Sequence, residues 1–455
     1  MLNETSTVQD LLDEIQVAKE KLIKQKKIKK IRNLPDISDK EELFKIPKNW
    51  KWMRLGEVIQ IINGDRGKNY PSKKELKETG NIPFISALNI KNNTISNEHL
   101  LYVDKERYDV LRSGKLSKGD IVLCIRGSLG KNGRYPYECG AIASSLVIIR
   151  SYLNVDGIYR YISLYLNSIL FQKELSKYDN GTAQPNLGAK DLALFAVPVP
   201  PLSEQQRLVA RIESLFAKLD AAKAKVQAVL DAHETRKAAL LHEAIAGNLI
   251  GAGEKELKPL SEIVDLIRIG PFGSALHKED YIQGGIPVVN PQHIVNQVIC
   301  PDSRKSISES KADSLAVYKM CVNDIIIGRR GEMGRTAPVG EDEAGWLCGT
   351  GCMLLRLKKE YDAKFYSLVI ASQKSKQYLE THAVGSTMKN LNEKIIRNLP
   401  VPVYSYAEQQ EIVAVLDRLL GREEEVRQSA ESVLAAIDSM KQSILARAFR
   451  GELGA

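Results

Sequence analysis

Two stretches of the chain place apolar residues at alternating steps of four and three. The first reads Leu208, Ile212, Leu215, Leu219, Ala222, Val226, Val229, His233, Leu240 and Ala244, with charge at 236 and 237. The second reads Ile412, Leu416, Leu419, Glu423, Val426, Ala430, Val433, Ile437, Met440, Ile444 and Ala448, with Glu423 as its one charged member. This spacing predicts long helices that bury a narrow heptad seam against a partner of similar length. Pro198, Pro200 and Pro201 end the preceding segment, Ser203 with Gln206 fits a capping box, and Gly247 and Gly451 supply C-terminal stops. A helix over 203–246 would run about 66 Å at ~1.5 Å per residue. The expected partner is the other long helix, in an antiparallel pair. The alternative is two helices that each pack on their own domain.

The stretches before these helices read differently. Short β-type runs such as Gly119-Asp120-Ile121-Val122-Leu123 alternate with Gly/Asn turns, and Asp156 to Lys177 reads as helix, so each predicts a compact α/β domain. At the start of the chain Val8, Leu11, Leu12, Ile15, Ala18, Leu22 and Ile23 share one face of an amphipathic helix. It runs into Lys24, Lys26, Lys27, Lys29, Lys30 and Arg32. Those cations suit a solvated helix C-terminus; a phosphate contact or a docking role is the other reading.

A fixed offset ties the segments together. Ile82-Pro83-Phe84 recurs as Ile286-Pro287-Val288, and Asp120, Arg126, Gly127 and Gly130 recur as Asp324, Arg330, Gly331 and Gly334. Asn186-Leu187 recurs as Asn390-Leu391, and Glu204-Gln205-Gln206 as Glu408-Gln409-Gln410. The shift is about 204 residues throughout, which identifies a duplicated unit. The expected architecture is α/β (α+β): two copies of one domain, separated by two long α-helices forming an antiparallel coiled coil, with pseudo-two-fold internal symmetry. The expected divisions are a helical leader at 1–48, a domain at 49–200, a central helix at 201–250, a second domain at 256–402 and a C-terminal helix at 403–455.

Composition narrows the class of function. Of 455 residues 44% are hydrophobic and 27% charged, which fits an ordinary globular protein, and the net charge is +9. The excess is concentrated: residues 49–200 carry 21 basic against 14 acidic side chains, while 256–402 carry 19 against 17. Nucleic acid is the commonest partner of such a surface. The six cysteines lack zinc-site spacing and are expected to be reduced thiols, and no metal site is expected. The polar start resembles no secretory signal and no apolar run approaches a membrane span, so a cytoplasmic protein is expected.

No catalytic constellation emerges. HExxH, GxSxG and a Walker lysine-threonine loop are missing, Gly127-Ser128-Leu129-Gly130-Lys131 continues with Asn132 where a phosphate loop needs Ser or Thr, and the six histidines have no ligand spacing. Donor-rich loops occupy corresponding places in the two copies instead. The first copy offers Arg66, Lys68, Asn89, Arg126, Ser128, Lys131, Thr182, Gln184 and Asn186. The second offers Arg268, Ser274, Gln292, His293, Arg329, Arg330, Arg335, Ser386, Thr387, Lys389 and Asn390. Arg reads guanine and Asn or Gln reads adenine in the major groove, while Ser, Thr, Lys and glycine backbone position the duplex. For Arg126 and Arg330 a purely structural role, pairing with Asp120 and Asp324, weighs equally.

The sequence resembles the specificity (S) subunits of type I restriction-modification systems over nearly its whole length. The residues that carry the likeness are Ala196 to Gln206 (AVPVPPLSEQQ), its echo Leu399 to Val403 with Glu408-Gln409-Gln410, the helix ending Ala448 to Leu453, and Ile46 to Glu57. The Leu22 to Lys30 stretch is similar to a leader in one branch of that family. The resemblance implies two target-recognition domains, each binding one half of a bipartite, asymmetric sequence in double-stranded DNA. It implies helices that set the spacer and dock two methyltransferase (M) subunits, with two restriction (R) subunits joining the full complex. S-adenosylmethionine, ATP and magnesium would belong to those partners, with no cofactor and no catalysis on this chain. Two departures stand out. The leader is short for that branch, and Glu423-Glu424-Glu425 stands where the first helix has Leu219-Asp220-Ala221, so irregular pairing is expected there. Two other classes remain open: a coiled-coil adaptor that binds only protein, and a free-standing DNA enzyme.

Overall fold

A computed structural model describes residues 7–29, 33–178, 186–272, 275–385 and 389–453. The chain forms two compact units: Met1–Lys225 together with Val433–Ala455, and Val226–Ser432. Each unit thus joins one α/β domain to the start of the helix that follows it and to the end of the other long helix.

In the first unit the domain is closed by its own ends. Lys51–Arg54 pairs antiparallel with Ala196–Val199, Lys51 opposite Val199. Inside, a six-stranded sheet runs in the order Ile59–Asn63, Leu146–Ser151, Ile121–Cys124, Asn132–Arg134, Thr94–Ile95, Ile90–Lys91. A four-stranded sheet runs Leu101–Val103, Ile82–Ile85, Cys139–Ile142, Lys115–Ser117. Ile121–Cys124 and Ile82–Ile85 are buried on both faces, which explains their continuous apolar runs.

The second unit repeats the scheme. Leu257–Pro259 pairs with Pro400–Pro402. One four-stranded sheet runs Val264–Ile269, Cys352–Leu357, Asp324–Gly328, Thr336–Pro338, and another runs Tyr281–Ile282, Ser306–Ile307, Ile286–Val289, Leu347–Cys348. The hairpin Ile294–Val295/Val298–Ile299 forms its own two-stranded ladder here, whereas the matching Ile90–Lys91/Thr94–Ile95 extends the larger sheet of the first unit.

The helix starts differ from expectation. The central helix begins at Leu202, so Ser203 lies inside the first turn and Pro201 takes the cap position. The capping box forms in the other copy, where Ser405 and Glu408 bond reciprocally. What both copies share is a buried glutamine: Gln205 donates to the Pro200 carbonyl and Gln409 to the Tyr404 carbonyl. Each ties a helix start to the segment before it. The C-terminal helix Tyr406–Phe449 is unbroken for 44 residues. The central one is interrupted at Ala232, between Leu202–Asp231 and His233–Ile245. Gly247 and Gly451, both left-handed, stop the two helices as expected.

The helices pair antiparallel within each unit. In the first, Asp220 bonds Lys441 and Lys223 bonds Asp438. In the second, Tyr404 Oη donates to the Ile245 carbonyl while Glu423 meets His233 and Arg236. Of the expected seam, Leu208, Ile212, Ile412, Leu416 and Ile437 are buried, and Leu215, Leu219, Val226, Leu419 and Ile444 are half-buried. Val229, Val426 and Val433 are corrections. They are 38%, 43% and 44% exposed, and Leu230, Arg427 and Leu434 take the inward positions. Read without its partner, a 4-3 pattern leaves Leu230 as eligible as Val229 and Leu434 as eligible as Val433; Arg427 turns inward as a charged residue paired with Glu424 and Glu431.

The leader helix spans Val8–Lys24, capped by Thr7 and Asp10, and buries Leu11 and Ile15. Lys19 lies over the Tyr152 ring, and burial lowers its pKa. The six cysteines are unpaired thiols.

Candidate nucleic-acid interface

The donor-rich loops of each domain converge, and the same turn organises both. In the first domain Arg126-Gly127-Ser128-Leu129-Gly130 leaves the strand Ile121–Cys124, and Gly127 and Gly130 take left-handed backbone that side chains resist. The next carbonyls and amides tie in other loops. Ile125 N donates to the Ser145 carbonyl and Leu187 N to the Ile125 carbonyl. Arg126 Nε donates to Asn186 Oδ1 at 2.9 Å across a β-bridge, and Lys131 Nζ reaches the Ala87 carbonyl at 2.9 Å. The 63–68 loop joins through Asp65, which is buried and accepts from the Arg112 amide. Gly64 is required there: a Cβ would fall 2.9 Å from the Ala143 carbonyl oxygen.

The second domain is built alike. Arg330 bridges Asn390, and Leu391 N donates to the Arg329 carbonyl. Gly331 and Gly334 are left-handed, and Arg335 Nη1 donates to the Pro291 carbonyl at 3.0 Å. Gly270 approaches the Gly349 carbonyl so closely that a Cβ would lie 2.0 Å from it.

Within this frame the expected contact residues separate into two groups. Arg66, Lys68, Arg126, Ser128 and Asn186 are exposed in the first domain, with Lys131 half-buried. In the second, Gln292, Arg330 and Lys389 are exposed, and Arg268, Arg335 and Asn390 are half-buried. Three residues are taken up in the fold. Asn89 is buried, accepting from Ser86 N and Oγ and donating to the Glu98 carbonyl. His293, at the equivalent position, accepts from Asn290 N on Nδ1, and burial holds its pKa below the ordinary histidine value. Arg329 is only 5% exposed, donates from Nε to the Leu391 carbonyl, and lies against the Phe272 ring. Burial lowers its pKa, with Arg330 adding to the effect. Thr182, Gln184, Ser274, Ser386 and Thr387 lie outside the described residues.

Of the two readings of Arg126 and Arg330, the structural one, pairing with Asp120 and Asp324, does not form. Asp120 is held by Arg150 and Asp324 by Arg356. The two turn arginines stay at the surface. Sequence reading passed over Arg112, which is exposed on the 112–114 turn inside the same cluster; its only signal was a basic residue ahead of Ser113-Gly114. It also passed over the exposed Phe272, which carries no donor. Among the described residues no group of three or more His, Cys, Asp or Glu is placed to hold a metal ion.

Comparison with known proteins gives a consistent answer. A family model described as a type I restriction modification DNA specificity domain matches residues 47–231 and again 254–431. The chain is 25% identical over 439 residues to the type I restriction enzyme StySPI specificity subunit of Salmonella potsdam, covering 90% of each. It is 23% identical over 436 residues to the EcoKI specificity subunit of Escherichia coli K12, again covering 90% of each. Its fold matches the crystal structure of the HsdS subunit from Thermoanaerobacter tengcongensis, with TM-score 0.60, 18% identity and coverage of 91% of this chain and all of that one. A chain from a structure of type I restriction-modification complex assembly and conformational transition matches at TM-score 0.63 and 19% identity, covering 90% of this chain and all of that one.

Proposed function

We propose, for a chain that belongs to the type I restriction-modification DNA specificity family, that each α/β domain reads one half of a bipartite target in double-stranded DNA. The observation that carries this is the duplicated loop cluster. Both copies use the same Arg-Gly-x-x-Gly turn bridged to an asparagine, while the exposed side chains around it differ. A shared frame with different donors suits two docking events on two different half-sites.

The first domain would hold phosphate chiefly by charge, through Arg66, Lys68, Arg112 and Lys131 around the turn. The second has fewer exposed cations at that end and would depend more on Arg330, Gln292 and Asn390. The long helices would set the spacer between half-sites and dock two methyltransferase subunits, with two restriction subunits in the full complex. S-adenosylmethionine, ATP and magnesium would act on those partners, and this chain would carry no chemistry of its own.

The test is a domain exchange. Residues 256–402 are replaced by those of a relative, and methylated adenines are mapped in cells that supply the partner subunits. One half of the recognised sequence should change and the other should stay. If both halves stay the same, the second domain reads nothing. Binding that shows no sequence preference, with or without the methyltransferase, would point to an adaptor that contacts only protein.

A further inference from the structure

The two long helices are copies of one sequence, so each faces a problem of partner choice: a second copy of itself offers nearly the same surface as the correct partner. The positions that form ion pairs across the helices in the first unit do not solve it. Asp220 and Glu424 correspond at the 204-residue offset, as do Lys223 and Arg427, Glu234 and Asp438, and Lys237 and Lys441. In every case the sign is the same. The ion pairs Lys223–Asp438 and Asp220–Lys441 therefore have complementary counterparts in any antiparallel pairing, including central helix with central helix.

Among positions turned into the helix pair, one group breaks the equivalence. In the second unit Glu423 points into the helix pair, with Oε2 2.9 Å from Arg236 Nε and 3.6 Å from His233 Nδ1. His233 is buried, and the side chains of Glu423 and Arg236 are 19% and 34% exposed. The trio sits at the break in the central helix, where Arg236 Nη1 also takes up the Val229 carbonyl at 3.1 Å. Glu424 and Glu425 neighbour Glu423 on its own helix; Glu424 is turned to Arg427 and Gln428, and Glu234 on the facing helix lies 3.7 Å from His233 Nε2. In the first unit the corresponding residues are Leu219, Ile437 and Met440, without a charge among them.

We propose that Glu423, His233 and Arg236 select the helix partner, so that the central helix accepts the C-terminal helix of its own chain and refuses a second copy of the chain. Two central helices paired antiparallel would set His233 and Arg236 against Leu219 at both ends. Two C-terminal helices would set Glu423 against Ile437 and Met440 at both ends. Each mismatch leaves a half-buried charge without its partner, which costs far more than an intact pair yields. The correct pairing has one polar end, where Glu423 is bonded by Arg236 with His233 beside it, and one apolar end. This selection is independent of whether the domains read DNA.

The test refolds the full chain from denaturant at rising concentration and reads mass by light scattering. Wild type should return as monomer throughout. The triple variant His233→Ile, Arg236→Met, Glu423→Leu gives both ends the same apolar residues. It should melt at or above the wild-type temperature, yet yield a dimer fraction that grows with refolding concentration. Glu423→Arg alone should melt at least about 5 °C lower and lose monomer on refolding at high concentration, and adding Arg236→Glu should restore both. A folded triple variant that stays monomeric at every concentration overturns the proposal. So does a Glu423→Arg chain that matches wild type, and that arm decides the case if the triple variant does not fold.

Discussion

Arg150 forks onto the carboxylate of Asp120, with Nε 2.8 Å from Oδ1 and Nη2 2.6 Å from Oδ2. Asp120 is almost completely buried, and it also accepts from Ser117 N, so it closes the turn into the strand Ile121–Cys124. Arg356 and Asp324 repeat the arrangement in the second unit. These pairs hold in place the strands from which the Arg126 and Arg330 turns emerge.

Removing the arginine strands a buried carboxylate. Arg150→Met should therefore cost about 3 kcal/mol, and Arg356→Met a similar amount in the other unit. Calorimetry of the single and double variants checks this. The two losses should appear additively, because the sites share no partner. A melting curve unchanged by Arg150→Met would show that the pair contributes no stability.

Acid should loosen the segment that follows the leader helix. Arg54 is buried and donates two bonds to Glu41; that contact, helped by Ser38, lowers the Glu41 pKa from 4.5 to about 2. A carboxylate with a depressed folded pKa stabilises the fold above its unfolded value, and the contribution is lost as pH falls through the folded value. The melting temperature should thus decline between pH 4.5 and about 2. Glu41→Gln should lower it at neutral pH and flatten the decline in that window.

The end of the C-terminal helix is pinned by one ring. Phe449 is 1% exposed and meets Tyr161 and Tyr165 edge-on, with centroids 5.3 and 6.0 Å away. Phe449→Ala should destabilise the first unit by about 3–5 kcal/mol. Hydrogen exchange should rise over 433–449 and over the helix Asp156–Leu166, while the second domain stays protected.

Adjacent arginines should behave differently. Arg330→Ala, at the surface, should leave the melting temperature unchanged and weaken binding to the methylated target by about 1–3 kcal/mol. Arg329→Ala removes a buried side chain that bonds the Leu391 carbonyl, so it should lower the melting temperature. In the first domain, Arg66→Ala and Lys68→Ala should each reduce the salt dependence of binding by about one unit of slope. Thermal melts check the Arg329 and Arg330 variants, and titration of the assembled methyltransferase complex against its target at several salt concentrations measures the losses in binding.

Much of the molecule was legible in its residues. Repetition at a constant offset established the duplication, because positions such as Asn186 and Asn390, or Gln205 and Gln409, match far from any local pattern. Heptad spacing identified the long helices, and the left-handed glycines of the Arg-Gly-x-x-Gly turn marked the loops that converge. Those signals are local, set by backbone conformation and by the period of apolar residues.

What the linear chain did not determine depends on who the neighbour is. Spacing alone left Val229, Val426 and Val433 as eligible as the residues beside them, and the facing helix decided. Loop position marked Asn89, His293 and Arg329 as candidate contacts; packing took them up, because a buried polar group without a partner is costly, and nearby backbone bonds Asn89, His293 Nδ1 and Arg329 Nε. Glu423 stood out in sequence as an irregularity in an apolar seam. Only the folded helix pair supplied Arg236, which bonds the carboxylate, and His233 beside it, both nearly two hundred residues earlier.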